Sequence, residues 1–428
     1  MERLALDRVS LLYASLHDAP PLETSPLDAP LPVPDYASRA DILGHAERRP
    51  LDRRAASPRI AMVSEYYYPH LGGVTEHVHY LSRELRRMGC HVDVVTSTID
   101  ASDDRSHVIR VGRSLPVRCN ASMARLTMAW RLRDRLRALF REQRYDLVHV
   151  HCPLAPTLPL AAVDAAQVPV VGTFHTWFPS SRVYERGRPF FQRRLDKLDV
   201  AVAVSPAAAE AHGRYFDAEW EIIPNGIDTH EFRPALPRPA CFDADTPTIL
   251  FVGRFDPRNE LGMLIDALPL VQRDIPSARL VIVGDGALRR HYRARAGANP
   301  SIHFAESQVA ERGAYYSAAT VYACPTTRAS FGVTLLEAMA AGTPIVCTDL
   351  PGFRSVVTPG REAIMHPAHD VNALAQALVL VLRDASLRAR LSAHGLRRAH
   401  DFRWSVVATQ VLGAYARAGC NIDVEQVA

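Results

Sequence analysis

From Arg59 onward the hydrophobic positions alternate between two registers. Short runs rich in valine and isoleucine, suited to strands buried on both faces, are separated by stretches in which apolar residues recur at helical spacing. The pattern predicts strands over 60–64, 91–96, 147–151, 168–173 and 200–204, with a helix over 75–88 after the first. A segment from Phe232 to Pro239, with prolines at 234, 237 and 239, then breaks the alternation. It restarts with strands over 248–252, 279–283, 302–304, 321–324 and 344–347 and a helix over 261–273.

Strands alternating with helices pair in parallel through right-handed crossovers, so the fold class is α/β, with two Rossmann-like doubly wound domains facing a cleft. The proline break separates them at 58–235 and 236–400. In such sheets ligands collect at the carboxyl ends of the strands. Residues 1–57 differ: Pro20, Pro21, Pro26, Pro30, Pro32 and Pro34 interrupt any helical period, which predicts an extended tail with one short helix over 8–16.

At 428 residues, 48% hydrophobic and 22% charged, the composition is that of a globular enzyme rather than a disordered chain. A net charge of +4 is too small to imply a polyanion, and with no recognition motif no nucleic-acid partner is expected. Of the 50 basic residues only Lys197 is a lysine, so any site that ordinarily uses lysine manages without it. Seven cysteines, never in a C-x-x-C pair, argue against a disulfide framework or structural zinc and fit a cytoplasmic location. No apolar stretch approaches the roughly 20 residues that span a bilayer, so any membrane contact is expected to be peripheral.

Four segments follow strands and carry candidate chemistry. Gly72 and Gly73 stand between the first strand and a helix, where paired glycines let the backbone approach a ligand and leave helix-start amides for an anion. His175 lies just past the end of a parallel strand, where its ring points into the cleft; His149 and His151 fit a strand end equally well and rank behind it. Arg254 follows the strand over 248–252, and its guanidinium suits bidentate contact with a diphosphate. Ser330, Phe331, Gly332 and Val333 open a helix whose first amides can also hold phosphate, and Glu337 sits about one turn in.

Together these segments resemble the retaining family 4 glycosyltransferases of the GT-B fold, over residues 59 to about 418. The resemblance implies that Gly72 and Gly73 line the donor–acceptor cleft, that His175 contacts the donor sugar and that Arg254 binds the departing diphosphate. It further implies that Gly284, in Gly284-Asp285-Gly286, belongs to a turn near that diphosphate and that Glu337 accepts bonds from ribose hydroxyls. The turn from Pro224 to Asp228 is similar to the family's exit from the first domain, and residues 401–428 are expected to cross back onto that domain.

The chain departs from the family at two positions. The usual pair of glutamates eight apart is here Ala329 and Glu337, and Asn259-Glu260 replaces the usual Lys-Gly, which leaves Arg258, one residue earlier, as a substitute cation.

The function implied is retaining transfer of a hexosyl unit from a GDP- or UDP-linked sugar to a hydroxyl acceptor, with a lipid and a glycan both open. The alternative is a catalytically silent scaffold of the same fold, supported by Ala329 and Asn259. No cofactor beyond the nucleotide-sugar co-substrate is expected, and no metal, since Asp103-Asp104 is a lone acidic pair. The arginine-rich stretch from Arg118 to Arg144 reads as a basic amphipathic helix. It either packs its apolar side on the sheet with its arginines solvated or lies on an anionic membrane, at the inner face by the resemblance.

Overall fold

The computed structural model describes residues 57–422, apart from 71, 99–105, 120–121, 244 and 306–310. The tail with its helix over 8–16, and Asp103-Asp104, lie outside the described residues. The first half forms strands β1 (Arg59–Val63), β2 (His91–Thr98), β3 (Val108–Cys119), β4 (Ser122–Met128), β5 (Leu147–His151), β6 (Val170–Phe174), β7 (Val200–Ala203) and β8 (Trp220–Ile222). The second forms β9 (Thr248–Val252), β10 (Arg279–Val283), β11 (Ile302–Ala305), β12 (Val321–Cys324), β13 (Ile345–Thr348) and β14 (Ala363–His366).

Two α/β sheets result, in the orders β4-β3-β2-β1-β5-β6-β7-β8 and β11-β10-β9-β12-β13-β14. Pairing is parallel throughout except between β3 and β4. Every residue of β5, β6 and β9 is buried, which is why β6 and β9 read as largely apolar runs, while β5 buries His149 and His151 among its apolar residues. In the first sheet the strand order reverses between β1 and β5, and in the second between β9 and β12. A crevice opens at the carboxyl ends of such a pair. The four chain segments leaving those ends are the glycine loop, the turn after His151, the Arg254 loop and the segment leading to Ser330.

The last helix, Trp404–Arg417, buries Val407, Val411, Leu412 and Tyr415 in one cluster with Ile60, Met62, Val78 and Leu81 of the first half. A Cβ on Gly226 meets the Trp404 ring at 2.4 Å, so the exit turn needs glycine to let this helix close on it.

The stretch from Arg118 to Arg144 is not one helix. Residues Arg113–Cys119 of β3 pair antiparallel with β4, and only Leu132–Glu142 is helical. The period is two up to Met128, and Thr127 donates from its hydroxyl to the buried Glu65 carboxylate at 2.6 Å, tying the hairpin to the end of β1. The helix buries Leu136 and Phe140 against Ala61, Val63 and Val95 and leaves Arg131, Arg133, Arg135 and Arg141 exposed. This is the solvated-arginine arrangement. Just before it Trp130 is 82% exposed.

Candidate functional site

The Gly73–Arg87 helix starts at Gly72 with no side-chain cap, and a Cβ on Gly72 or Gly73 meets nothing within 4 Å. Packing does not demand these glycines, which leaves room for a ligand as the reason for them. Gly284 is the opposite case. Its φ of +147° is unfavourable for other residues, and an added Cβ lies 1.9 Å from the Gly253 carbonyl oxygen, so this glycine lets the loops after β9 and β10 touch. Gly284→Ala is therefore expected to cost about 1–3 kcal/mol in a urea melt. Gly73→Ala leaves the midpoint in place and weakens nucleotide-sugar or acceptor binding.

Arg254 is exposed, and its guanidinium forms no ion pair among the described residues. Its loop is held by Asn259, whose amide donates to the Arg254 carbonyl at 2.8 Å and whose oxygen accepts from the Thr326 hydroxyl at 3.3 Å. The Thr327 amide donates to the Arg258 carbonyl at 2.9 Å. Asn259, standing where a cation is usual in the family, thus joins the loops after β9 and β12. The Arg258 guanidinium is about half exposed and lies 3.7 Å from Asp256.

Ser330 connects the two halves. Its hydroxyl accepts from the Trp177 amide at 2.7 Å, two residues past His175, and its carbonyl accepts from the Ser205 hydroxyl at 2.5 Å. The following helix, Val333–Ala340, starts at Gly332 without a side-chain cap, which leaves its first amides for an anion. Ala329 packs beside this cluster, with Gly352 so close that a Cβ there would lie 2.2 Å from the Ala329 carbonyl oxygen.

Glu337 is 2% exposed and already engaged. The Tyr316 hydroxyl donates to it at 2.7 Å, and Arg312 approaches at 3.3 Å. Burial pushes its carboxyl up to about 7 against the pull of Arg312. Arg312 also donates to Glu76 of the first half at 2.8 Å and, flanked by these carboxylates, is held fully charged. A cavity of about 20 Å³ lies between the halves, bordered by Gly73, Glu76, His77, Arg312, Val333 and Glu337.

His175 lies half-buried with its Nε2 2.9 Å from His151 Nδ1. The His77 ring meets the His175 ring edge-on at 4.7 Å, and His77 Nδ1 faces Asn225 Oδ1 at 2.8 Å. His149 is bound by the Tyr415 and Thr173 hydroxyls, a structural role. Burial, together with the neighbouring rings, holds His151 and His175 well below their ordinary range, so both are neutral near pH 7. Among the described residues two groups bring three ligand atoms within reach of one ion: His77, His151 and His175, and His91, Asp93 and His107.

The structure thus brings Gly73, Val333 and Glu337 to one cavity, His175 beside the Ser330 loop, and Arg254 and Arg258 onto the loop next to it. Gly72 and Phe331 are next to these positions in the chain, and Gly284 touches the Arg254 loop at Gly253. Sequence reasoning missed Glu76, His77 and Arg312. Glu76, His77 and Tyr80 share one helix face directly after the glycine loop, which is the signal that could have found the first two.

Comparison with known proteins agrees with this fold. Residues 71–231 match Glycosyltransferase Family 4, and residues 246–384 match the Glycosyl transferases group 1 family. A phosphatidyl-myo-inositol mannosyltransferase from Mycobacterium leprae is 34% identical over 86% of this chain and 99% of its own length. Among solved structures, a sucrose-phosphate synthase from Thermosynechococcus elongatus superposes with a TM-score of 0.68 at 25% identity, covering 84% of this chain and 98% of that one. A glycosyltransferase from Rickettsia africae does so at 0.69 and 14% identity, covering 86% of this chain and all of its own, a likeness of fold alone. With enzymes as relatives, a silent scaffold is not favoured.

Proposed function

The chain belongs to the family 4, group 1 glycosyltransferases and is a hexosyltransferase, and from that premise we propose that it moves a mannosyl unit from a nucleoside-diphosphate sugar to the inositol ring of a phosphatidylinositol lipid. The support for the acceptor is the mycobacterial relative, whose name states that activity. The observation that carries the site is the Ser330 bridge, which sets the uncapped helix start and the histidine turn side by side across the cleft.

In this reading residues 58–235 face the acceptor and 236–400 hold the nucleotide sugar. Arg254 and the amides at 331–333 stabilise charge as it develops on the leaving diphosphate. His175, neutral, donates or accepts a hydrogen bond at the sugar. Glu337 accepts from ribose hydroxyls once it exchanges its Tyr316 partner. Bond breaking leads, and the leaving phosphate takes the acceptor proton on the same face, so the anomeric configuration is retained. No step calls on a metal.

No helix among the described residues is long and apolar enough to cross a membrane. Exposed Trp130 beside the solvated arginines of the Leu132–Glu142 helix is a suitable contact for the anionic inner face, where the lipid acceptor resides.

The test incubates purified protein with phosphatidylinositol vesicles and GDP- or UDP-linked radiolabelled mannose and glucose. One nucleotide at 100 times its dissociation constant is expected to add about 2.7 kcal/mol of stability, and label is expected in the organic phase. Stabilisation with all label left in water excludes the lipid acceptor; no stabilisation by any nucleotide excludes the donor site.

A further inference from the structure

The three histidines at the cleft carry more than one sugar contact requires. His151 is 1% exposed, ends β5 at the strand-order reversal, and its Nε2 is buried without a partner. With no partner on Nε2, nothing in the protein fixes which nitrogen of His151 carries the proton, so Nδ1 can present its lone pair. Its Nδ1 shares a proton with His175 Nε2 at 2.9 Å. His77 is turned so that Nδ1 donates to Asn225, which leaves the Nε2 lone pair free. One nitrogen from each ring lies within 4.8 Å of the others.

We propose that His77, His151 and His175 form a binding site for a borderline divalent ion, zinc or cobalt, and that its occupation shuts off sugar transfer. Three neutral imidazoles are the ligands such ions favour, with water in an open fourth position. Nitrogens about 2.0–2.1 Å from a tetrahedral ion stand about 3.3 Å apart. His151 and His175 therefore need to part by only a few tenths of an ångström, the ion replacing the proton between them. Asn225 supplies the outer hydrogen bond that fixes the His77 tautomer, as groups behind metal-bound histidines do. The ion is not a cofactor here: it takes the His175 nitrogen out of use and adds positive charge in the sugar's place. The inhibitory half rests on His175 as the sugar contact; the binding half does not.

The full-length protein, stripped with EDTA, is titrated with Co²⁺ alone. Expected are one ion per chain, the intense visible bands of four-coordinate cobalt, and their loss on adding Zn²⁺. His151→Gln and, separately, His77→Gln are expected to weaken binding by at least roughly 10–100-fold, the range even outer-shell changes reach. His91→Ala, at the other candidate cluster, leaves the bands in place. Zn²⁺ is expected to inhibit transfer by the unmodified protein reversibly, and to need at least tenfold higher concentration against His77→Gln. No four-coordinate band, a band indifferent to both glutamine variants, or one lost with His91→Ala overturns the site. Cobalt binding that depends on the histidines, with transfer unaffected by Zn²⁺, overturns the inhibition and with it the sugar role of His175. A protein that never transfers sugar fails the proposed function, while the cobalt titration still decides the site.

Discussion

Replacing Arg254 by alanine is expected to lower kcat for sugar transfer by roughly 10²–10³-fold, about 2.7–4 kcal/mol of transition-state stabilisation, the cost of losing one preorganised donor. The fold itself should be unaffected: Arg254 is exposed, and only its backbone carbonyl is used, by Asn259. The effect falls at the upper end of the range because Asn259 stands where relatives of the family place a lysine. Arg312 cannot take over, since Glu76 and Glu337 already hold it. Arg258 is the remaining cation on the loop, and with Asp256 at 3.7 Å its charge is partly offset. A lysine at 254 restores charge without the planar fork, so Arg254→Lys should recover only part of the loss if the contact is bidentate. Less than a threefold fall in kcat for the alanine variant, with an unchanged urea midpoint, removes Arg254 from the diphosphate site.

Much of this arrangement is legible in the sequence. Strands 147–151, 248–252, 279–283 and 321–324 coincide with the observed β5, β9, β10 and β12, because burial on both faces favours short runs rich in valine, isoleucine and leucine. The glycine loop, His175, Arg254 and the helix carrying Glu337 were legible because each follows a strand. The β3–β4 hairpin was not. Its arginines mimic a basic helix, and only pairing partners distinguish period two from a loose helical period over so few turns. The partners of Glu337 were hidden for another reason. Arg312 joins it to Glu76, which lies 236 residues before Arg312, and no local pattern encodes a contact made only when two domains meet. Gly226 and Gly284 were singled out by resemblance to family turns, and the structure gives each a steric reason: the Trp404 ring in one case and the Gly253 carbonyl in the other.

The metal-free protein is expected to lose stability steeply as pH falls from 7 to 5. His77, His149 and His212 are 3%, 1% and 3% exposed, and burial lowers them to about 4, 3 and 4; His151 and His175 are also lowered well below the ordinary range. A group whose folded pKa is depressed contributes stability above its unfolded pKa of about 6.5 and loses it as pH falls toward the folded value. At pH 5 each of His77, His149 and His212 forfeits about 2 kcal/mol, roughly 6 for the three, and His151 and His175 act in the same direction. Glu337, raised to about 7, has the opposite sign. Its folded form takes up a proton first, so its contribution is complete below about 4.5 and lost as pH rises through 7, which offsets roughly 2.5 kcal/mol at pH 5. Glu65 and Glu76, also raised by burial, act in the same sense as Glu337, but the five histidines outnumber the three carboxyls and the net is a loss of stability. Urea midpoints across this range should show a net uptake of protons on unfolding near pH 5.5, by the slope of stability against pH. Glu337→Gln removes the opposing proton and should steepen that slope by about one. A flat profile from pH 7 to 5, or a slope that Glu337→Gln makes shallower, contradicts the assignment of these buried groups.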